Sequence, residues 1–487
     1  MSSSSFVLSD GRKPRIGILC LSPIPDDPRV RRQGDLLTQD GWEVVAIGLP
    51  GHLSSMPTWT CLAIGDVGPS MPVSGSSGFD DETGYRKRIG RLRQAMRAPV
   101  SEGGGLRNVF AVIGDLVLRD PAALLWVIAK LPGMLARRVK RALGAAIPFP
   151  AVVRRQLQRA RRVIEIARLS VQPTYGREVY WRLNDRFSRI LELARPHKVD
   201  FWLANDWTTL PIAMRLAAEQ GVSYGYDTHE LAVDEYAQSA LWRMSQRPVI
   251  AAVEKDGIAG AAFATCVSDG IADRLAEVYK LPVRPAVIRN TPMYSRQSFR
   301  ATGARIDVLY HGVVAPGRGL EACIRSVALW RPEFHLTVRG PADPSYLAGL
   351  QKIAVKAGVV GRVIFDEPVP MTELVARAAD FDVGLFALPD HSLQNVYVLP
   401  NKFFEYTMAG LALCVSDLPE MTRLLRRHDL GELIEAVTPE AIAAAVNRLD
   451  RPAIDRFKMN ALAAAQELNW QAEGRKLLEA CAANLRR

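Results

Sequence analysis

The stretch VLPNKFFEYTMAGLALCVSD, from Val398 to Asp417, predicts a short helix that runs into a buried strand. Its helical part is apolar except for three residues: Asn401, Lys402 and Glu405. These three residues share one helical face, because positions three and four apart in a helix are neighbours. The pattern fits two interpretations, an exposed polar face and a ligand site at the end of a sheet.

The bulk composition indicates a globular protein with more than one domain. The chain has 487 residues, too many for one hydrophobic core, and 48% of them are hydrophobic against 23% charged. The start MSSSSFVLSDGRKPR lacks the apolar segment of a signal peptide, and no apolar run approaches the ~20 residues that span a bilayer. The six cysteines form no CxxC pair, so we expect reduced core cysteines in a cytoplasmic protein.

The positive charge of the chain is concentrated in one region. The net charge is +11, and residues 130–200 hold 17 lysines and arginines against 5 acidic residues. Such a region fits a solvated helical face or an element that contacts an anionic membrane surface. Nucleic-acid binding is not expected, because few aromatic residues are interleaved with the charges. The membrane interpretation would place the protein peripherally on the inner face of a membrane.

Alternating apolar strands and amphipathic helices predict an α/β fold with parallel sheets. The strand RIGILCLSPI (15–24) is followed by a helix and a second strand, which together form a β-α-β unit. The pattern is interrupted at 52–195 by a loop rich in Gly, Ser and Pro and by basic helices. We therefore predict two doubly wound domains, 1–295 and 296–470, and a terminal helix, 471–487, that packs back toward the N-terminal domain.

A glycine-rich turn suggests a site for an anion. It joins a strand that ends at Tyr310 to a helix that begins near Leu320, and it contains Arg318. Free backbone N–H groups and the helix dipole favour an anion at such a turn, and an arginine can hold a diphosphate through two hydrogen bonds. The turn matches neither GxGxxG nor a Walker loop, so a purely structural turn remains an equal alternative.

Other motifs give no metal site. Asp380 and Asp382 form a DxD pair, but the pair stands at the start of a strand, where we expect a structural role. The seven histidines show no HExxH or paired ligand spacing. The Asn401 helix, by contrast, follows a strand that ends near Leu388, and open α/β sheets bind ligands beyond the carboxyl ends of their strands.

Several segments in this order resemble the retaining family 4 glycosyltransferases of the GT-B fold. They are DDPRVRRQGDLLTQDGWEV, YDTHE, YHGVVAPGRGLE, DFDVGLFAL and PNKFFEYTMAG. The resemblance covers roughly residues 15–50 and 198–480. It implies two Rossmann-like domains facing across a cleft. The C-terminal domain would hold a nucleotide-sugar donor and the N-terminal domain the acceptor.

The resemblance also implies roles for individual residues. It implies that Glu405 holds the donor ribose, that Arg318 meets the diphosphate, and that His229 lies beside the reacting sugar. These three are the expected catalytic residues, and no metal is expected. The implied donor-binding set is Gly312, Gly317, Arg318, Gly319, Asn401, Lys402 and Glu405. The implied acceptor-side set is Arg29, Asp227, His229 and Glu230.

Two positions depart from the family pattern. Tyr397 stands where the first glutamate of a spaced pair is expected, and Val313 stands where a loop arginine is common. The diphosphate would then depend on Arg318 and Lys402.

The predicted function is transfer of a sugar from a nucleoside-diphosphate sugar, with UDP or GDP as the nucleotide. The acceptor would be a glycan or a lipid-linked molecule in surface polysaccharide or glycoconjugate synthesis, and no cofactor is expected. One alternative is a GT-B-type sugar-nucleotide epimerase, which would turn over the donor without an acceptor. The other is a non-catalytic, membrane-bound scaffold with a decayed donor site, which would bind no nucleotide.

Overall fold

The computed structural model describes residues 8, 10–65, 168–169 and 172–485. The chain divides into a larger unit, Met1–Met71 with Gly176–Arg487, and a second unit, Pro72–Tyr175, most of which lies outside the described residues. Most of the basic region 130–200 lies outside the described residues. The prediction that this region contacts a membrane concerns those residues and stays a prediction. Among the described helices, none combines the length and the apolar character of a membrane span.

The larger unit contains two parallel sheets. The first has seven strands in the order β3-β2-β1-β4-β5-β6-β7, and every neighbouring pair is parallel. Its strands are β1 (Arg15–Pro23), β2 (Glu43–Leu49), β3 (Thr60–Ala63), β4 (Phe201–Asn205), β5 (Ser223–Thr228), β6 (Phe263–Cys266) and β7 (Ala286–Val287). The buried runs of β1, β2, β4 and β5 are typical of strands covered on both faces.

Helices connect these strands in the right order for a doubly wound sheet. They are α1 (Pro28–Gln39), α2 (Gly176–Leu183), α3 (Asp185–Ala194), α4 (Leu210–Gln220), α5 (Ala240–Ser245), α6 (Arg247–Gly260) and α7 (Asp269–Tyr279). Helix α1 begins at Asp27, whose carboxylate accepts the N–H groups of Arg29 (2.8 Å) and Val30 (3.2 Å). This cap satisfies two of the N–H groups that a helix start leaves unpaired.

The second sheet has six parallel strands in the order β10-β9-β8-β11-β12-β13. Its strands are β8 (Ile306–His311), β9 (Phe334–Arg339), β10 (Val363–Asp366), β11 (Val383–Phe386), β12 (Ala412–Ser416) and β13 (Gly431–Ile434). The helices around it are α8 (Leu320–Ser326), α9 (Pro344–Lys356), α10 (Leu374–Ala378), α11 (Leu393–Tyr397), α12 (Asn401–Ala409), α13 (Pro419–His428), α14 (Pro439–Arg448) and α15 (Arg451–Ala464).

The last helix, α16 (Trp470–Leu485), packs against the first sheet's domain. Trp470 Nε1 donates to the carbonyl of Arg32 on α1 (3.0 Å), and Glu473 pairs with Arg289 (3.0 Å). The chain passes from one sheet to the other over residues 288–305, which contain neither helix nor strand. The exact domain limits at 295 and 470 stay predictions.

The prediction that residues 52–195 form only a loop and helices was wrong at its start. Strand β3 lies within that range and extends the first sheet beyond β2. Strand β13, at the edge of the second sheet, was also missed. Both strands have four residues, too few to show a clear apolar alternation in the sequence.

The DxD pair has a structural role, as the sequence predicted. Asp382 is fully buried and accepts hydrogen bonds from Lys458 Nζ (2.9 Å) and Arg300 Nη2 (2.8 Å). Its second oxygen accepts the backbone N–H of Asp307 on β8 (3.0 Å). The carboxylate therefore ties β8 and β11 to α15 and is not available to a metal.

Candidate functional site

The loops that follow strands of the first sheet contact α11 of the second. Beyond β5, the backbone N–H of Leu231 donates to Gln394 Oε1 (2.5 Å). Beyond β6, Ser268 Oγ donates to the carbonyl of Tyr397 (2.6 Å). The carboxyl ends of strands in both sheets thus meet in one region, where doubly wound sheets place their ligands.

Glu405 lies on the buried face of α12 within this region. Its side chain is only 5% exposed, with His311 Nε2 2.9 Å from Oε2 and Arg32 Nη2 3.8 Å from Oε1. Burial alone would raise the pKa of Glu405, but His311, Arg32 and Lys402 together hold the pKa below its ordinary value. Glu405 is therefore an ionised, buried carboxylate, which rules out a solvated face for this residue.

Lys402 lies one turn before Glu405 and points toward the glycine turn. Its Nζ is 5.2 Å from the ring centroid of Tyr310 and 4.8 Å from that of Phe386, which are cation–π distances. A Cβ added at Gly312 would lie 2.8 Å from the same nitrogen. The absence of a side chain at Gly312 therefore lets the ammonium group approach the backbone of the turn.

The charge of Glu405 favours the ammonium form of Lys402, but among the described residues the two groups form no direct ion pair. No hydrogen bond or ion pair there engages Nζ. Burial and the nearby charge of Arg318 lower the pKa of Lys402 to about 8, and Glu405 partly opposes them. A partly desolvated cation with free N–H donors is suited to binding an anion.

The glycine turn presents Arg318 at the surface. Gly319, at the start of α8, has φ +72°, and a Cβ there would lie 2.1 Å from the carbonyl oxygen of Ala387. The turn can therefore pack against the end of β11 only with glycine at this position. Arg318 is exposed and forms no ion pair within the described part of the chain. Its charge nevertheless lowers the pKa of Lys402 and influences Glu230 across the cleft.

Asp227, at the end of β5, is the centre of a buried network. It is 0% exposed and accepts two hydrogen bonds from Arg29, at 2.7 and 2.8 Å. Gln33 (2.5 Å) and Thr265 (2.6 Å) occupy its remaining positions. Burial would raise the pKa of Asp227, but the charge and hydrogen bonds of Arg29 and the nearby ring of His229 hold the pKa well below its usual range. Both members of the Arg29–Asp227 pair are inside the domain, beneath the cleft.

His229 is the accessible member of the group around Asp227. Its side chain is 23% exposed, and its Nε2 lies 2.9 Å from Asn205 Oδ1 and 3.7 Å from Asp227 Oδ2. Burial lowers the pKa of His229, but the nearby carboxylate of Asp227 outweighs burial and raises the pKa above its ordinary value. The ring is thus oriented and biased toward its charged form.

Three carboxyl groups near His229 have pKa values above the ordinary range. Burial raises the pKa of Glu230 to about 7 and that of Glu235 to about 8, with Arg318 opposing the shift in both. Asp206, which adopts a left-handed backbone conformation, also has a raised pKa because of burial. At neutral pH Glu230 and Glu235 can both donate and accept hydrogen bonds.

The two departures from the family pattern have structural explanations. The ring of Tyr397 lies against Gly270, where an added Cβ would be 2.3 Å from its Cδ1. Position 397 is therefore part of the contact between the two domains. Val313 is 55% exposed, and its carbonyl accepts the hydroxyl of Tyr310 (2.9 Å). Neither residue supplies a charge.

Sequence reasoning missed five residues of this region: Arg32, Asn205, Asp206, Glu235 and His311. A weak signal existed for His311, which directly precedes Gly312 at a strand end. Arg32 also follows Arg29 by three positions on α1, so the two share a helical face. Within the described residues, no group of three His, Cys, Asp or Glu side chains could hold a metal ion.

No protein-family model matches the chain, and no curated protein matches it by sequence. Solved structures do match. A sucrose-phosphate synthase from Thermosynechococcus elongatus is 12% identical with a TM-score of 0.59, over 96% of this chain and 98% of that chain. A glycosyltransferase from Rickettsia africae ESF-5 is 10% identical with a TM-score of 0.54, over 98% and 99%.

A third match, HepE from Anabaena in complex with UDP-glucose, is 14% identical with a TM-score of 0.51. It covers 62% of this chain and 83% of that chain. Likeness at such low identity shows the fold alone. It confirms the predicted α/β architecture of two parallel-sheet domains of the GT-B type.

Proposed function

We propose that the protein is a retaining glycosyltransferase that moves a sugar from a nucleoside-diphosphate sugar to a glycan or lipid-linked acceptor. The observation that carries the proposal is the ammonium group of Lys402, held beside Gly312 in a cleft of the GT-B fold without a direct ion pair or hydrogen bond among the described residues. Arg318 adds a second unpaired cation to the same cleft. The Anabaena structure contains UDP-glucose, which makes UDP the first nucleotide to test.

The donor half of the reaction needs positive charge near the leaving group. When the bond between the anomeric carbon and the diphosphate oxygen breaks, negative charge develops on the diphosphate. Lys402 and Arg318 would stabilise this charge without having to reorganise. Glu405, ionised and buried, would accept hydrogen bonds from the ribose hydroxyls.

The acceptor half needs an oriented hydroxyl. In a same-face displacement, the acceptor oxygen bonds to the anomeric carbon as the diphosphate leaves, and the departing phosphate oxygen takes the acceptor proton. His229 would hold the sugar by a hydrogen bond from its ring. Glu230 lies beside it and would orient the acceptor, while Arg29 and Asp227 fix His229 from below.

Calorimetric titration of UDP, GDP and ADP tests the donor site. We expect wild-type protein to bind UDP and Glu405→Gln to bind it about 10- to 100-fold more weakly, because hydrogen bonds to a charged group contribute about 1.5–3 kcal/mol. Glu277→Gln is the matched control, since Glu277 is 72% exposed on α7 and should leave binding unchanged.

The same experiment separates the alternatives. Absence of binding by all three nucleotides would favour the scaffold. Turnover of UDP-sugar to an epimer without an acceptor would favour the epimerase. If sugar is transferred, the anomeric configuration of the product, read by NMR, decides between retention and inversion.

The pKa of Lys402 predicts how UDP affinity depends on pH. The diphosphate binds the protonated ammonium group, whose pKa is about 8 in the free protein. Affinity should therefore fall about tenfold per pH unit above pH 8, as Lys402 loses its charge. Titration of Lys402→Arg should lack this alkaline decline, because arginine stays charged. A wild-type affinity that is flat up to pH 9.5 would contradict the assignment.

A further inference from the structure

Arg32 crosses from the first domain to the proposed donor site. It lies on α1, its side chain is 7% exposed, and its Nη2 is 3.8 Å from Oε1 of Glu405 on α12. The charge of Arg32 is one of the influences that lower the pKa of Glu405. The negative charge of Glu405 is thus compensated in part by Arg32, a residue of the other domain.

The rest of Arg32 is firmly held within its own surroundings. Its Nη1 donates to the side chain (2.7 Å) and the carbonyl (3.2 Å) of Asn290, and its carbonyl accepts Trp470 Nε1 (3.0 Å). Burial lowers the pKa of Arg32 to about 10, and Glu405 opposes that shift. A guanidinium this desolvated is costly unless a carboxylate stays close to it.

The distance between the two groups leaves room for adjustment. At 3.8 Å the guanidinium attracts Glu405 but is beyond the range of a charge-assisted hydrogen bond. The other side of Glu405 is in contact with His311, at 2.9 Å. Glu405 therefore lies between a group of its own domain and a group of the other.

We propose that Arg32 is a positioning residue for donor binding, through which the N-terminal domain sets the charge and orientation of Glu405. This inference rests on the proposed function. Donor affinity would then depend on a contact between domains and not on the C-terminal domain alone. Couplings of this kind change affinity by about 5- to 150-fold.

The charged and titratable groups around Glu405 determine how the affinity for UDP should depend on pH. They are His311 from β8, Arg32 from α1 and Lys402 from α12 itself. The charge of Arg32 counteracts the effect of burial on the pKa of Glu405, so this pKa should rise when Arg32 is replaced by an uncharged residue. The pH below which UDP binding weakens should then move upward. The pH above which UDP binding weakens should not change, because Arg32 is not among the groups that shift the pKa of Lys402.

The experiment is calorimetric titration of UDP between pH 5 and pH 9. We expect Arg32→Gln to bind UDP about tenfold more weakly than wild type at pH 7. We call the pH below which UDP binding weakens the acid limit, and we expect this limit to be higher in Arg32→Gln than in wild type. Arg32→Lys, which keeps the charge, should restore the acid limit. Arg31→Gln is the matched control on α1, since Arg31 pairs with Asp35 (3.0 Å) and not with Glu405.

The outcomes separate this inference from the proposed function. Wild-type protein that binds no nucleotide overturns the proposed function. Wild-type binding with an acid limit that Arg32→Gln does not move overturns the role of Arg32, even if affinity falls uniformly. Should Arg32→Gln fail to fold, Arg32→Met, which keeps a long side chain without the charge, must still raise the acid limit; an unmoved limit there overturns the inference as well.

Discussion

Replacement of Asp227 with alanine should lower the free energy of unfolding by about 3–5 kcal/mol, the range found when one partner of a buried ion pair is removed. Asp227 is 0% exposed, and its removal leaves the guanidinium of Arg29, itself 1% exposed, without its carboxylate. Gln33 and Thr265 also lose their acceptor. Chemical denaturation followed by tryptophan fluorescence measures the change.

Glu277→Ala provides the control for this effect. Glu277 pairs with Arg274 at 2.8 Å in the same domain, but its side chain is 72% exposed, so its loss should cost less than about 1 kcal/mol. A cost for Asp227→Ala as small as that of Glu277→Ala would contradict the buried network. Asp227→Asn should lie between the two, because it keeps the shape of the side chain but loses the charge.

The fold could be predicted because its strands are buried on both faces. Segments such as FDVGLFAL and LALCVSD read as continuous apolar runs between helical patterns, and they became β11 and β12. The prediction failed where an element is short and lies at a sheet edge, as in β3 and β13. There, pairing with a neighbouring strand decides the structure, and sequence periodicity carries little of that information.

The donor side of the site was also visible in the sequence, because Lys402 and Glu405 follow a strand end within a single helix. Their partners were not visible. Arg32 reaches Glu405 only after the two domains have packed together, and His311 only after β8 and α12 have packed within the second domain. The use of position 397 as a contact with Gly270 likewise depends on the neighbouring domain. Spacing along the chain indicates which residues share a helix face, but it does not indicate which residues of other elements pack against that face.

Replacement of Lys402 with alanine should lower the rate of sugar transfer about 100- to 1,000-fold, the range for loss of one preorganised group that stabilises transition-state charge. The reason is that Lys402 faces the glycine turn with no direct ion pair or hydrogen bond among the described residues, so its N–H groups are available to the leaving diphosphate. The effect should appear in kcat, because the charge on the diphosphate grows as the bond breaks. Steady-state kinetics with UDP-sugar and increasing acceptor measures it.

The stability of the same variant shows whether Lys402 has a functional or a structural role. Because burial lowers the pKa of Lys402 to about 8, the folded state disfavours its charged form relative to the unfolded chain. Alanine should therefore leave thermal stability at neutral pH unchanged or raise it, while activity collapses. Lys352→Ala, at an exposed position on α9, should change neither property. Loss of stability in Lys402→Ala in proportion to lost activity would instead mean that the lysine holds the fold together, and the site would have to be sought around Arg318.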